Sequence, residues 1–60
     1  MNSAGYAEGK KILEIEFSSR EMYHYFNVPK RVFTGLLKAG SAGKYFNSRI
    51  KGKFLFQKIT

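Results

Sequence analysis

At Val28-Pro29 the hydrophobic rhythm of this chain changes. Before that point apolar side chains recur at every second residue. Leu13, Ile15 and Phe17 fall on one side with Glu14 and Glu16 on the other, and Tyr23 and Tyr25 alternate with Met22, His24 and Phe26. A period of two is that of a β-strand. Lys11–Phe17 and Glu21–Asn27 are therefore read as strands joined by a short Ser18-Ser19-Arg20 hairpin, with a further edge strand over 3–7 and a turn at Glu8-Gly9-Lys10. Both faces of the Glu21–Asn27 strand are apolar or amphiphilic, which predicts a central strand covered on both sides. After Pro29 the period becomes 3.6. At 100° per residue, Pro29, Val32, Phe33, Leu36, Leu37 and Ala39 share one arc, and Arg31, Thr34 and Lys38 lie opposite. Proline suits the first turn of a helix, and Gly40 suits its end.

Ser41 is a good N-cap for a second, shorter helix. On that helix Ala42, Phe46 and Ile50 would face inward, with Lys44, Ser48 and Lys51 outward, until Gly52 stops it. Phe54–Ile59 returns to the period of two, with Phe54 and Phe56 on one face and Leu55, Gln57 and Ile59 on the other. The expected fold class is α+β: a small antiparallel sheet in the order β-β-β-α-α-β, with two short helices packed on one face. Sixty residues, 1–60, allow a single domain. A chain of that size buries only about 60% of its unfolded surface. It has no cysteine for a disulfide or a thiolate metal site, so its ten Phe and Tyr residues must supply most of the core.

Charge is segregated along the chain. All four carboxylates, Glu8, Glu14, Glu16 and Glu21, lie in the first 21 residues, and the chain carries a formal charge of +7. From Met22 onward the charged residues are all cations: Lys30, Arg31, Lys38, Lys44, Arg49, Lys51, Lys53 and Lys58. Too few anions are present to neutralise that field, so it will attract polyanions, nucleic acid foremost. The plainer reading is that the charge only keeps a small domain soluble. No apolar run approaches the ~20 residues of a membrane span, and no secretory apolar segment follows the first Met. The expectation is a soluble cytoplasmic protein, monomeric and without membrane association.

Catalysis finds little in this sequence. His24, the one histidine, sits within a strand with no Cys or Asp in the chain, and reads as a half-buried strand residue rather than as a metal ligand. Glu14 and Glu16 share a strand face. They read as the solvated side of an edge strand, with Lys10, Lys11 or Arg20 at hand to pair with them, rather than as an acid–base couple. Gly40-Ser41-Ala42-Gly43 lacks the strand before it and the Lys-Ser/Thr after it that a phosphate loop needs. No enzyme activity, cofactor or metal is expected.

Binding is better supported. Tyr23 and Tyr25 offer either a platform for stacking unpaired bases or, as so small a domain would require, a roof over the core beneath the first helix. The candidate nucleic-acid-binding residues are Lys44, Tyr45, Asn47, Arg49, Lys51 and Lys53, on the second helix and the turn after it, with Ser48 beside them. Lys44 falls in the helix's first turn, where a cation opposes the macrodipole and a bound anion would relieve the conflict. Gly43 would let a ligand backbone approach, or would simply let the two helices pack closely.

The runs Leu13-x-Ile15-x-Phe17, Tyr23-x-Tyr25-x-x-Val28-Pro29 and Phe33, Leu36-Leu37, Ala39, followed by Ser41-x-Gly43-x-Tyr45-Phe46-Asn47, Ile50 and Phe54, resemble the KTSC domain family over roughly residues 5–56. The family is named for its occurrence at the C-terminus of some lysyl-tRNA synthetases, and it also occurs as small stand-alone bacterial and phage proteins. The resemblance implies RNA as the ligand, through the synthetase fusion. One departure concerns the hairpin, where family members usually carry glycine and this chain has Ser18-Ser19-Arg20. Charge and resemblance together predict a non-enzymatic nucleic-acid-binding module that prefers RNA and accepts DNA. The alternative is a protein-interaction module that docks on an acidic protein surface.

Overall fold

The computed structural model describes residues 2–60. The elements run β1 (Ser3–Ala7), β2 (Ile12–Glu16), β3 (Met22–Tyr25), α1 (Lys30–Lys38), α2 (Ala42–Arg49) and β4 (Phe56–Lys58), which is the expected order. The strands form one antiparallel sheet in the spatial order β1-β2-β3-β4. In register, Ser3 faces Glu16, Glu16 faces Met22, Leu13 faces Tyr25, Tyr25 faces Phe56, and Tyr23 faces Lys58. The alternation therefore puts Ala4, Tyr6, Leu13, Ile15, Tyr23, Tyr25 and Phe56 on one face of the sheet.

Both helices cover that face. Leu13, Ile15, Tyr25, Val28, Leu36, Phe46 and Ile50 are buried together, and Tyr6, Phe17, Tyr23, Val32, Phe33, Tyr45 and Phe54 pack around them. α1 packs against β1 and α2. Its Phe33 ring stacks on Tyr6, with centroids 5.4 Å apart and planes 14° from parallel. The Tyr6 hydroxyl donates to the Val28 carbonyl, which ties β1 to the segment entering α1. α2 is capped as its sequence predicts: the Ser41 hydroxyl accepts from the Lys44 N–H at 3.3 Å. α2 ends earlier than expected, at Arg49 with Ile50 as its C-cap, and Gly52 takes the left-handed region, φ +75°, in the turn that follows.

Several expectations need correction. β3 is a central strand, but only its Tyr23 and Tyr25 face is covered by helices. Met22 and His24 are half-buried on the opposite face, outside the core cluster. β2 is an inner strand, so Glu14 and Glu16 do not mark an edge. Nor do they pair with Lys10, Lys11 or Arg20. Glu14 lies 3.4 Å from His24, directly across the β2–β3 ladder, and Glu16 accepts from the Ser3 hydroxyl at 3.2 Å.

Leu37 belongs to the predicted inward arc of α1, yet it is 64% exposed. α2 docks on the Gly35 side of α1, where the Tyr45 ring lies so close to Gly35 that no Cβ would fit. The covered face of α1 is turned toward Val32, Gly35, Leu36 and Ala39, which strands Leu37 at its margin. Gly43 has nothing within 4 Å of its Cβ position, so the close helix approach is at Gly35 instead. Gly40 adopts no left-handed conformation; α1 ends on Ala39 in extended backbone.

The left-handed residues of the two hairpins are not glycines. Lys11 has φ +56° and Arg20 has φ +65°. In the second hairpin the Arg20 N–H donates to Phe17 O at 2.9 Å, and the Phe17 N–H donates to Glu21 O at 2.9 Å. That pattern is a three-residue loop closed by a left-handed residue, a position that favours glycine. The final strand is shorter than predicted, because the turn through Gly52 continues to Phe54 before the chain reaches β3.

Candidate nucleic-acid interface

Among the described residues, two lysines are joined to carboxylates. Lys30 reaches Glu8 at 3.3 Å and Lys58 reaches Glu21 at 2.9 Å. Nine of the eleven Lys and Arg side chains are left without a carboxylate partner. The expected uncompensated field thus survives folding. Lys44, Asn47, Ser48 and Arg49 are all exposed on α2, and Lys51 and Lys53 are exposed in the turn that follows.

These residues do not form one patch. Angular position on α2 groups Lys44 and Asn47, about 60° apart at 100° per residue, and Lys51 follows in the turn after the helix. Arg49 lies on the far side of the helix by the same geometry. Tyr45 is half-buried against Gly35 of α1, where it serves the helix–helix contact. Lys44 stands in the first turn of α2, which holds no acidic residue. Its own amide is taken by the Ser41 hydroxyl.

Next to the Asn47–Lys51 side the structure opens a cavity of about 420 Å³ between α2 and the sheet. Phe17, Tyr23, Tyr25, Phe46 and Phe56 line it, joined by Glu21, Asn47, Lys51 and Gly52. The rings are mutually braced. Phe46 of α2 meets Phe17 and Tyr25 edge-on at 5.5 and 5.6 Å, and Phe56 lies 5.7 Å from Tyr23 and 5.5 Å from Tyr25. Tyr23 and Tyr25 therefore lie beneath α2, not beneath α1. Tyr25 is a core residue, 5% exposed, and burial, with Tyr23 beside it, pushes its hydroxyl pKa up. Tyr23 is half-buried and borders the cavity. Phe56 remains 57% exposed.

The polar side of the cavity is held in place. Glu21 accepts from Lys58 and from the Ser19 hydroxyl, and the bond from Lys58 leads in holding its carboxyl below the usual carboxylate range. The same bond holds Lys58 above the usual ammonium range. Sequence reasoning had named Asn47 and Lys51 but had not joined them to Phe17, Glu21 or Phe56. Phe17 and Glu21 come from the hairpin between β2 and β3, where they are bonded to each other, and Phe56 arrives only through the β3–β4 pairing. No helix among the described residues is long and apolar enough to cross a membrane.

Comparison with known proteins agrees with this architecture. A KTSC domain protein from Yersinia pestis, solved by crystallography, superposes with a TM-score of 0.93 at 41% sequence identity, covering 97% of this chain and 82% of that one. An uncharacterised protein from Stutzerimonas stutzeri is 45% identical over 51 residues, 85% of this chain and 72% of its own. A lysine–tRNA ligase from Nostoc punctiforme is 44% identical over 55 residues, 92% of this chain. The chain spans only 10% of that ligase's length. The KTSC domain family matches residues 1–54, and on that match and the fold this chain belongs to the KTSC domain family.

Proposed function

We propose that this protein is a non-enzymatic, cytoplasmic nucleic-acid-binding module that favours RNA. It binds through the basic face of α2 and the turn after it. The observation that carries the reading is the set of unpaired cations. Lys44 is exposed on α2, Lys51 and Lys53 are exposed in the turn after it, and no carboxylate among the described residues neutralises them. Such a surface gains affinity by releasing the counterions condensed on a phosphate backbone. The preference for RNA is supported by the lysine–tRNA ligases that share this segment.

The test is a fluorescence-anisotropy titration with single-stranded RNA, tRNA and duplex DNA between about 50 and 300 mM salt. Five phosphate contacts on a single strand give a log–log slope of about −3.5. Reversing Lys44 and Lys51 to Glu weakens RNA binding more than reversing Arg31 and Lys38 on α1. Both variants carry the same net charge, since each double reversal removes four units and takes +7 to +3. Equal losses would mean a diffuse field without a defined site. Absence of binding at the lowest salt would remove nucleic acid as the partner.

A second reading, docking on an acidic protein surface, is favoured by the exposure of the apolar residues Leu37, Leu55 and Ile59. It predicts binding that survives the loss of RNA affinity.

A further inference from the structure

Among the described residues, Phe56 is the aromatic one of the large apolar side chains left exposed. A domain with seven buried apolar residues has every reason to cover a phenylalanine, yet this ring is 57% exposed at the edge of the aromatic cavity. β4 fixes it there, since Phe56 is paired in register with Tyr25. Together with the Tyr23 ring, 5.7 Å away, it presents an aromatic surface to a cavity of about 420 Å³. That volume lies within the range of about 300–1,000 Å³ typical of small-molecule sites.

The polar groups of the cavity are of two kinds. Lys51 is a cation without a carboxylate partner among the described residues. Glu21 is an anion occupied with Lys58 and Ser19, and it does not pair with Lys51 although both line the same cavity. A carboxylate accepts hydrogen bonds and repels phosphate, whereas an ammonium does the reverse. The ligand that satisfies all three features is flat and aromatic, carries N–H donors on its edge and has an anion attached.

We propose that this cavity takes a single unpaired nucleobase of single-stranded RNA. The base is stacked on Phe56 and Tyr23, with its amino or imino edge toward Glu21 and Asn47 and the adjoining phosphate on Lys51. The inference rests on the RNA-binding reading and adds to it a requirement for an unstacked base. Duplex RNA shields its bases and cannot fill the cavity.

The experiment titrates the full chain, carrying ¹⁵N and aromatic ¹³C labels, with an eight-nucleotide single-stranded RNA and with the duplex of the same sequence at about 100 mM salt. The expected result is tighter binding of the single strand, with the largest aromatic shifts on Tyr23 and Phe56. Phe56→Leu keeps an apolar side chain at an exposed position and removes the π face. It should lower single-strand affinity on the order of tenfold, because stacking of one base is worth about 1–3 kcal/mol, while leaving duplex affinity and the melting temperature near those of the wild type. Equal affinity for strand and duplex, or an unaltered Phe56→Leu variant, overturns the base pocket. If the Lys44 and Lys51 reversals still weaken binding in that case, the surface reading stands without it. No binding of either RNA overturns both.

Discussion

The two ends of the helical layer are built differently. Over β1 and β2 the layer is closed: Tyr6 stacks on Phe33, its hydroxyl is bonded to Val28, Leu36 is 3% exposed, and Glu8 meets Lys30 at the surface. Over β3 and β4 the layer is open, with five rings bordering a cavity and Leu55 and Phe56 mostly exposed. Both ends use aromatic residues, so composition does not separate them. What differs is the outermost ring of each end: Phe33 of α1 covers Tyr6, whereas Phe56 is left 57% exposed. Stability should therefore be concentrated at the closed end, and binding at the open end.

The comparison breaks first at Leu36. Leu36→Ala should cost about 2–5 kcal/mol, by lost transfer energy and by the cavity left behind. For a domain of this size that is most of the expected stability of roughly 3–5 kcal/mol. Chemical denaturation measures it, and a variant melting near wild type would show that the α1 end is not the keystone. Next comes Gly35→Ala. Alanine is better than glycine in a helix by about 1 kcal/mol, but its Cβ would collide with the Tyr45 ring. Overpacking of this kind costs about 1–3 kcal/mol, so the net change should be destabilising. Combining Gly35→Ala with Tyr45→Leu should recover stability, and a double-mutant cycle reads the coupling.

At the open end Phe56→Ala should cost only about 1 kcal/mol. Full burial of a phenylalanine is worth about 1.5–3 kcal/mol, and this ring is less than half covered. A loss as large as that of Leu36→Ala would erase the distinction between the two ends. Arg20→Gly should raise stability by roughly 0.5–1 kcal/mol. A left-handed conformation costs a non-glycine residue about 1–2 kcal/mol, and glycine gives part of that back as chain entropy.

The smallest effect is that of pH at the Glu21–Lys58 pair. Glu21 is held below the usual carboxylate range, chiefly by its bond from Lys58. Its contribution is present above the unfolded pKa of about 4.3 and is lost as pH falls through the lower folded value. Lys58 is held above its usual range by the same bond, so its contribution ends only when pH rises through that higher value. Thermal melts of wild type and Glu21→Gln should differ slightly near neutral pH and converge in acid, with the difference reduced by salt.

The element order was legible because each segment keeps one hydrophobic period: Leu13-x-Ile15 and Tyr23-x-Tyr25 at two, Val32 with Leu36 and Phe46 with Ile50 at about 3.6. The helix cap at Ser41 was equally local. Whatever depended on meeting across the fold was not legible. Leu37 fits the arc of an isolated helix, and only the docking of Tyr45 on Gly35 decides that the arc turns away from it. Glu14 had three lysines and arginines near it in sequence, but its neighbour is His24 across the ladder. Lys11 and Arg20 carry left-handed backbone that nothing in their side chains announces. On the site, the outward face of α2 was readable from its spacing. The aromatic cavity was not, since it needs Phe17, Phe46 and Phe56 from three separate elements.

The strand order has a mechanical consequence. Ser3 faces Glu16, Glu16 faces Met22, and the Met22 N–H meets the Thr60 carbonyl, so the two ends of the described chain lie in one row across the sheet. They occupy opposite edges, roughly 14 Å apart at three interstrand spacings of about 4.8 Å. Tension applied at Ser3 and Thr60 therefore runs along the hydrogen bonds and not along the strands. It would peel β1 and β4 away one bond at a time, from the outside inward, without shearing a whole ladder at once. Pulled from its ends this domain is a soft spring, and β4, three residues long and bearing Phe56, is the shortest ladder that tension must open.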